Sequence, residues 1–443
     1  MTRVRTDGLI LISLGAVVIL VTLALALRLN TRGAALDFLP DYYSARTLIN
    51  GGDPYNEIAV LRTYRTEGGA RDLSDPLDRA VATRYVYPPS AFAVMVPSAL
   101  LPWGFAHGLW AILSVSSLIL AGCLAWDLGG SNGSVLCAAL VAYLLANSEI
   151  LVVLSNPSEL AIGLCVIGVW CFLRERYVAA GILCLALSLA VKPQDSGLIW
   201  LYFFLAGGTF RKRALQTLLV CAAVSAPFVF WVYMASPHWV HELQSNLLAF
   251  SMRGGLNDPG PASKEAHQFV DLQVIISRFC DRPAVYNLVS YLIFAPLFVI
   301  WARITIRTRA SAEKAAFALA AIAPLSLLPI HHHVYDAKLI LLVIPVLALL
   351  LDQRDRTSRT ALALTAIAVF LTGDISGWLI TKAALSIQSA PGGVTEWLTN
   401  ALAVFPAPLI LLATSAFYLR VYYRSTLPQP GRLGREVLSR SSH

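Results

Sequence analysis

Five short stretches of this chain carry residues able to do chemistry, and they lie far apart in sequence. They are Asp37 with Asp41, Tyr85-Val86-Tyr87-Pro88-Pro89, Asn156-Pro157-Ser158-Glu159, Lys192-Pro193-Gln194, and His331 through Asp336. A carboxylate held at a membrane surface can act as general base towards a hydroxyl, which is one reading of Asp37; capping the helix that follows is the other. A lysine between two apolar half-helices suits a phosphate as a point-charge ligand, or snorkels to the interface. Three consecutive histidines on a helix would point about 100° apart, so they cannot all face one metal ion. Bonding a phosphate or a sugar hydroxyl suits them better. Tyr335 follows, and Asp336 has Lys338 or Lys192 as a partner. Glu159 is either a helix cap or a substrate contact.

The elements that position these residues are membrane helices. Of 443 residues, 57% are hydrophobic and only 14% charged, well below the ~25% of a soluble domain. The apolar residues come in long runs, starting at residues 8–27, and ~20 such residues match the bilayer core. The first run lacks a cleavage site and reads as a retained helix. The net charge of +8 is scattered among loops, which argues for membrane orientation and against nucleic acid. Six of the seven cysteines lie in apolar runs, and none has metal-ligand spacing.

Charge sets the sidedness. Arg3 and Arg5 place the N-terminus in the cytoplasm, and residues 29–90 form a first extracytoplasmic loop. Residues 177–210 are too long for one pass, and Pro193 interrupts them. Two short helices would bring Arg211-Lys212-Arg213 back inside and leave Lys192 outside. A second outer loop spans 236–284, His331–His333 lie outside, and the loop 381–398 is outside too. About 12 passes result, some of them half-helices, with both termini cytoplasmic. Residues 1–424 form a single transmembrane domain, and the polar tail 425–443 reads as disordered. Tyr42, Ala45, Leu48 and Ile49 share a helical face, which suits a short helix lying in the interface and ended by Gly51-Gly52. Trp103, Trp110, Trp231, Trp239, Trp378 and Trp397 fall near expected helix ends, as in an aromatic belt. All five chemical stretches then sit on one side, where a cavity could gather them.

The run D-F-x-x-x-Y-Y-x-A-R-x-L-x-x-G-G-D-P-Y from Asp37 resembles the opening of glycosyltransferase family 87. The Y-x-Y-P-P at 85–89, the asparagine turn at 156, A-x-K-P-Q at 190–194 and H-H-H-x-Y-D at 331–336 recur in the same order, so the resemblance spans residues 30 to 350. It implies an all-α GT-C fold and a metal-independent, cofactor-free inverting transfer. The sugar, often mannose, passes from a polyprenyl phosphate to a hydroxyl of a glycan or glycolipid acceptor. This takes place among membrane lipids, at the extracytoplasmic face of a cell membrane. The resemblance makes Asp37 the base. An extra residue before the tyrosine pair keeps Asp41 as an alternative. Lys192, Gln194, His331, His332, His333 and Tyr335 would bind the donor phosphate and sugar, with His332 or His333 the family's histidine. Tyr43, Tyr87, Asn156 and Glu159 would line the acceptor side or the cavity. Three other readings compete. A transporter expects polar residues at mid-span, where this chain has few. An oligosaccharide ligase or polymerase would use outer-loop arginines such as Arg84, Arg253 or Arg278. A structural subunit leaves the clustered charges unexplained.

Overall fold

The computed structural model describes residues 3–29, 35–69, 71–130, 134–263, 265–375 and 406–427, together with Gly377 and Leu379. The expected outer loop 381–398, Trp378, Trp397 and nearly all of the tail lie outside the described residues. The described chain is helical, and its sole extended pairing is an antiparallel bridge between Phe269 and His333. Seven of its helices are long and apolar enough to cross a membrane. The chain is an all-α polytopic membrane protein.

Helix α1 (Arg3–Leu29) packs on α7 (Val135–Ala146), and α6 (Trp103–Leu128) packs on α9 (Pro157–Arg174). One end of this bundle is tied by basic residues. Arg5 and Arg174 both pair with Asp127, at 3.3 and 3.2 Å, and Arg213 donates to the Phe172 carbonyl at 2.8 Å. Arg213 also pairs with Glu175 at 3.2 Å. Residues 175 and 213 thus share an end, and the stretch between them runs out and back as expected. It divides into α10 (Val178–Val191) and α11 (Pro193–Ala206), broken at Lys192 with φ −142° and ψ 78°. Proline at the first position of α11 costs no hydrogen bond there, because that N–H has no intrahelical acceptor. Helix α12 (Gly208–Ala235) then packs along both halves.

The segment expected as the first outer loop folds into a small helical cap of α2 (Phe38–Ile49), α3 (Glu57–Thr66) and α4 (Pro76–Thr83). Here an expectation fails. Helix α2 does not lie in the interface with one face free; Phe38 to Leu48 are buried except for Arg46. The reason is aromatic. Phe38 stacks on Trp110 (centroids 5.0 Å apart) and on Trp103 (5.7 Å), and Tyr43 stacks on Trp103 at 5.7 Å. Trp103 and Trp110 therefore hold α2 from beneath instead of serving as belt residues, and Trp110 also donates to the Ser155 carbonyl at 3.1 Å. The helix stops as read, with Gly51 at φ +77°, a conformation glycine adopts at least cost.

In the segment expected as the second outer loop, α13 (Trp239–Ser251) braces the cap, with Asn246 donating to the carbonyls of Tyr55 and Tyr85 at 3.0 and 3.1 Å. Residues 266–272 then cross the histidine segment as a strap. After it come α14 (Gln273–Ile276), α15 (Pro283–Arg307) and α16 (Ala312–Ser326). A buried 3₁₀ run, Val334–Val343, leads into α17 (Ile344–Leu351). Ten residues is long for a 3₁₀ helix, whose runs rarely exceed about four residues. Helices α18 (Arg356–Leu371) and α19 (Pro406–Thr426) close the described chain.

Candidate active site

Helix α9 begins at the end of the bundle opposite the Asp127 cluster, and its cap is the hub of the site. Asn156 Oδ1 accepts from the Ser158 backbone N–H at 2.8 Å and from Ser158 Oγ at 2.6 Å. Both donors grip the oxygen, so the amide NH₂ must face the other way. It donates to Asp37 Oδ2 at 2.6 Å and to the Tyr335 hydroxyl at 3.1 Å. Asp37 is held there by its backbone as well, since its N–H donates to the Leu154 carbonyl at 3.1 Å. It occupies the N-cap position of α2, but its side chain caps nothing. The capping explanation for this carboxylate therefore lapses. Asp37 is half-buried, and no hydrogen bond engages its second oxygen. Burial raises its pKa to about 6, against the lowering effects of Asn156 and Lys192.

Behind this hub lies a buried ionic cluster. Lys192, 6% exposed, donates to Asp336 Oδ1 at 2.6 Å and to Ser158 Oγ, and sits 3.6 Å from Asp195. Of the two lysine partners open to Asp336, Lys192 is the one it takes; Lys338 instead donates to the Asn147 carbonyl. A continuous polar chain thus runs from Lys192 through Ser158 and Asn156 to Asp37. The tyrosine loop is fastened to the same place, since Ser90 Oγ donates to the Ala190 carbonyl at 2.7 Å.

The histidines are not on a helix. Val270 N–H donates to the His332 carbonyl at 3.0 Å, and the Phe269–His333 bridge holds the segment extended. Side chains of an extended segment alternate in direction. His331 and His333 consequently lie together, with centroids 4.8 Å apart, and both grip Phe269 edge-on at 4.6 and 5.0 Å. His333 stacks on Tyr335 at 4.8 Å. His332 turns inward, with Nε2 3.4 Å from Asp195 Oδ1. Its Nδ1 lies 3.0 Å from the Ile330 carbonyl, an acceptor, so Nδ1 carries hydrogen. Burial lowers the His332 pKa, but Asp195 and Asp336 outweigh it and raise the net value. His333 is lowered to about 4 and His331 well below the ordinary imidazole value, both mainly by burial, which favours their neutral forms.

Asp195, His332 and Asp336 offer ligand atoms within 4.8 Å of one another, a spacing a metal ion could use. The Lys192 ammonium, however, already stands against both carboxylates and fills the position of a cation.

The residues named from sequence divide accordingly. Asp37, Asn156, Tyr335, Lys192 and His333 converge, with His331 beside them. Tyr87 stands among the carboxylates, for burial and then Asp41, Asp37, Asp336 and Asp195 all raise its pKa. Asp41 is one turn beyond Asp37 on α2 and wholly buried. Tyr43 packs on Trp103 and Tyr64 instead of joining the cluster. Gln194 is half-buried at the start of α11 and makes no hydrogen bond. Glu159 is fully buried and does not cap α9, a task that Asn156 performs. Ser158, Asp195 and Asp271 were not singled out. Asp195 reads in sequence as an ordinary first-turn acid favoured by the helix dipole. Asp271 accepts from the His332 backbone at 3.4 Å, and burial raises its pKa to about 7. Of the outer arginines, Arg84 is paired with Glu57 at 2.9 Å and Arg253 with Asp281 at 2.7 Å.

A family model described as glycosyltransferase family 87 matches residues 85–329. No curated protein and no solved structure gives a significant match.

Proposed function

Because the chain belongs to glycosyltransferase family 87, whose model covers more than half of it, we propose that this membrane glycosyltransferase has a GT-C fold and uses a polyprenyl-phosphate sugar. The sugar is mannose, and it passes with inversion to a hydroxyl of a glycan or glycolipid at the extracytoplasmic face of the cell membrane. The observation that carries this reading is the half-buried Asp37 carboxylate. Asn156 aims it, one oxygen is free, and it lies on a polar chain that starts at a buried lysine.

In the proposed reaction the free oxygen of Asp37 takes the proton of the acceptor hydroxyl. The acceptor oxygen bonds to the anomeric carbon, and the bond from that carbon to the phosphate oxygen breaks on the opposite face. A base with a pKa near 6 is ionised at neutral pH yet still basic enough to accept the proton. The departing polyprenyl phosphate receives N–H donors from the neutral His331 and His333. Lys192 is committed to Asp336 and Ser158, so it contributes through its field, which is strong in a site closed to water. No metal is needed in this scheme, because the ammonium holds the cation position.

The test is transfer of labelled mannose from polyprenyl-phosphate-mannose to a panel of glycolipid acceptors in nanodiscs. Wild type should transfer, and Asp37→Asn should fall by at least ~10²-fold, the lower range of general-base effects, without loss of folding. An active Asp37→Asn would remove Asp37 from the mechanism.

A further inference from the structure

Asp41 has the most costly side-chain position in the cap. It is 0% exposed, and neither carboxylate oxygen has a hydrogen-bond partner. Ser44, three residues on and on the same helical face, has a buried hydroxyl without a partner. So does Tyr85, whose ring is fixed by stacking on Phe92 at 4.6 Å. Each buried, unsatisfied polar group costs about 1–3 kcal/mol. Three of them on facing elements is more than a well-packed cap of this size carries by accident. Burial, followed by the nearby charge of Asp37, raises the Asp41 pKa well above the ordinary carboxylate range. That shift favours the protonated form, which can both donate and accept. The charge of Asp41 acts on both Tyr85 and Tyr87, so the two tyrosines stand near it.

We propose that Asp41, Ser44 and Tyr85 form a hydroxyl-binding subsite beside Asp37 that takes a sugar hydroxyl. The proposal rests on the glycosyltransferase reading above. A carboxyl, an alcohol and a phenol together offer the donors and acceptors that a sugar hydroxyl can pair with. Asp41 then serves recognition, and the base is Asp37, which is half-buried and has one oxygen unengaged. The hydroxyl comes from the donor sugar or from the acceptor sugar.

Tyr85→Phe removes one orphaned hydroxyl and keeps the stacked ring, so it should fold. It is assayed with polyprenyl-phosphate-mannose and an alkyl mannoside, and with monodeoxy analogues of each. The expected result is a KM raised about 2–10-fold for one substrate with kcat little changed, as the loss of one neutral hydrogen bond gives. One deoxy analogue of that substrate should penalise wild type but not the variant, and whether it is a donor or an acceptor analogue identifies the source. The thermal midpoint of the ligand-free variant should rise, because an unsatisfied hydroxyl has gone. Asp41→Leu should show the same substrate discrimination, with Asp41→Asn restoring KM. If every deoxy analogue affects wild type and variants alike, or if Tyr85→Phe lowers the midpoint and leaves KM unchanged, the subsite does not exist. If wild type neither transfers nor binds any mannosyl substrate, the donor reading itself has failed and the subsite with it.

Discussion

Replacing Asn156 by serine tests whether the base works as described. The serine hydroxyl is as good a cap as asparagine, so α9 keeps an acceptor at its first turn. What is lost is the amide donor that reaches Asp37 Oδ2 at 2.6 Å. A hydrogen bond to a charged group is worth about 1.5–3 kcal/mol, and each pH unit corresponds to about 1.4 kcal/mol. The donor favours the ionised carboxylate, so removing it raises the pKa. The acid limb of the rate profile should move from the native value of about 6 to between about 7 and 8. At pH 7 the rate then falls about 2–10-fold, and it recovers towards the wild-type plateau at higher pH. The assay is kcat against pH from 5 to 9, with Asp271→Asn as the control, because Asp271 itself titrates near 7 beneath the histidines. An acid limb that stays at about 6 while the rate drops equally at every pH would show that Asn156 does not tune Asp37. A limb that moves down would refute the sign.

Lys192→Met strands the carboxylates of Asp195 and Asp336 without their cation, and breaking such a buried pair costs about 3–5 kcal/mol. The thermal midpoint should fall sharply, and the double variant Lys192→Met/Asp336→Asn should recover part of the loss; additive losses would show that the pair is not coupled. Gly163 marks the close approach of α9 to α6, where an added Cβ would lie 2.3 Å from Ser117 Oγ and 2.9 Å from the Ser117 carbonyl carbon. Gly163→Ala should cost about 1–3 kcal/mol in the same melting assay. Ser117→Gly should rescue it only in part, because the backbone contact remains; full rescue would mean that the helices do not meet there.

The course of the helices was legible because charge and proline act locally. Arg5, Arg174 and Arg213 gather at one end because each flanks an apolar run, and Pro193 marks the out-and-back turn within the residues that make it. The convergence of Asp37, Asn156, Lys192, His333 and Tyr335 could be anticipated from sidedness alone. What escaped sequence reasoning depends on partners far along the chain. The histidine segment is extended because Phe269–Leu272, about 60 residues earlier, pairs with it, and nothing within His331–Asp336 forbids a helix. Helix α2 is internal because Trp103 and Trp110 come from a later helix, and its own periodicity equally suits an interface. Glu159 and Ser158 are neighbours in sequence, yet only Ser158 faces Lys192.

The buried cluster also constrains how a lipid-linked phosphate can be received. Its four groups stand in direct contact: Lys192 lies 2.6 Å from Asp336 and 3.6 Å from Asp195, and His332 lies 3.4 Å from Asp195. Such a closed quartet joins α11, the 3₁₀ run and the histidine segment, and pairing the lysine with carboxylates offsets part of the desolvation penalty of burying them. On the proposed donor chemistry, an arriving phosphate would meet a lysine already paired with carboxylates, and directed donors would recognise it. Neutral His331 and His333, clasped on Phe269 by the strap of the second outer loop, are placed for that role. The same quartet reaches Asp37 through Ser158 and Asn156, so any shift of the 3₁₀ run is carried to the base over two hydrogen-bonded side chains. In the proposed reaction, donor recognition and acceptor activation are then coupled by position, with the cap of one helix as the joint.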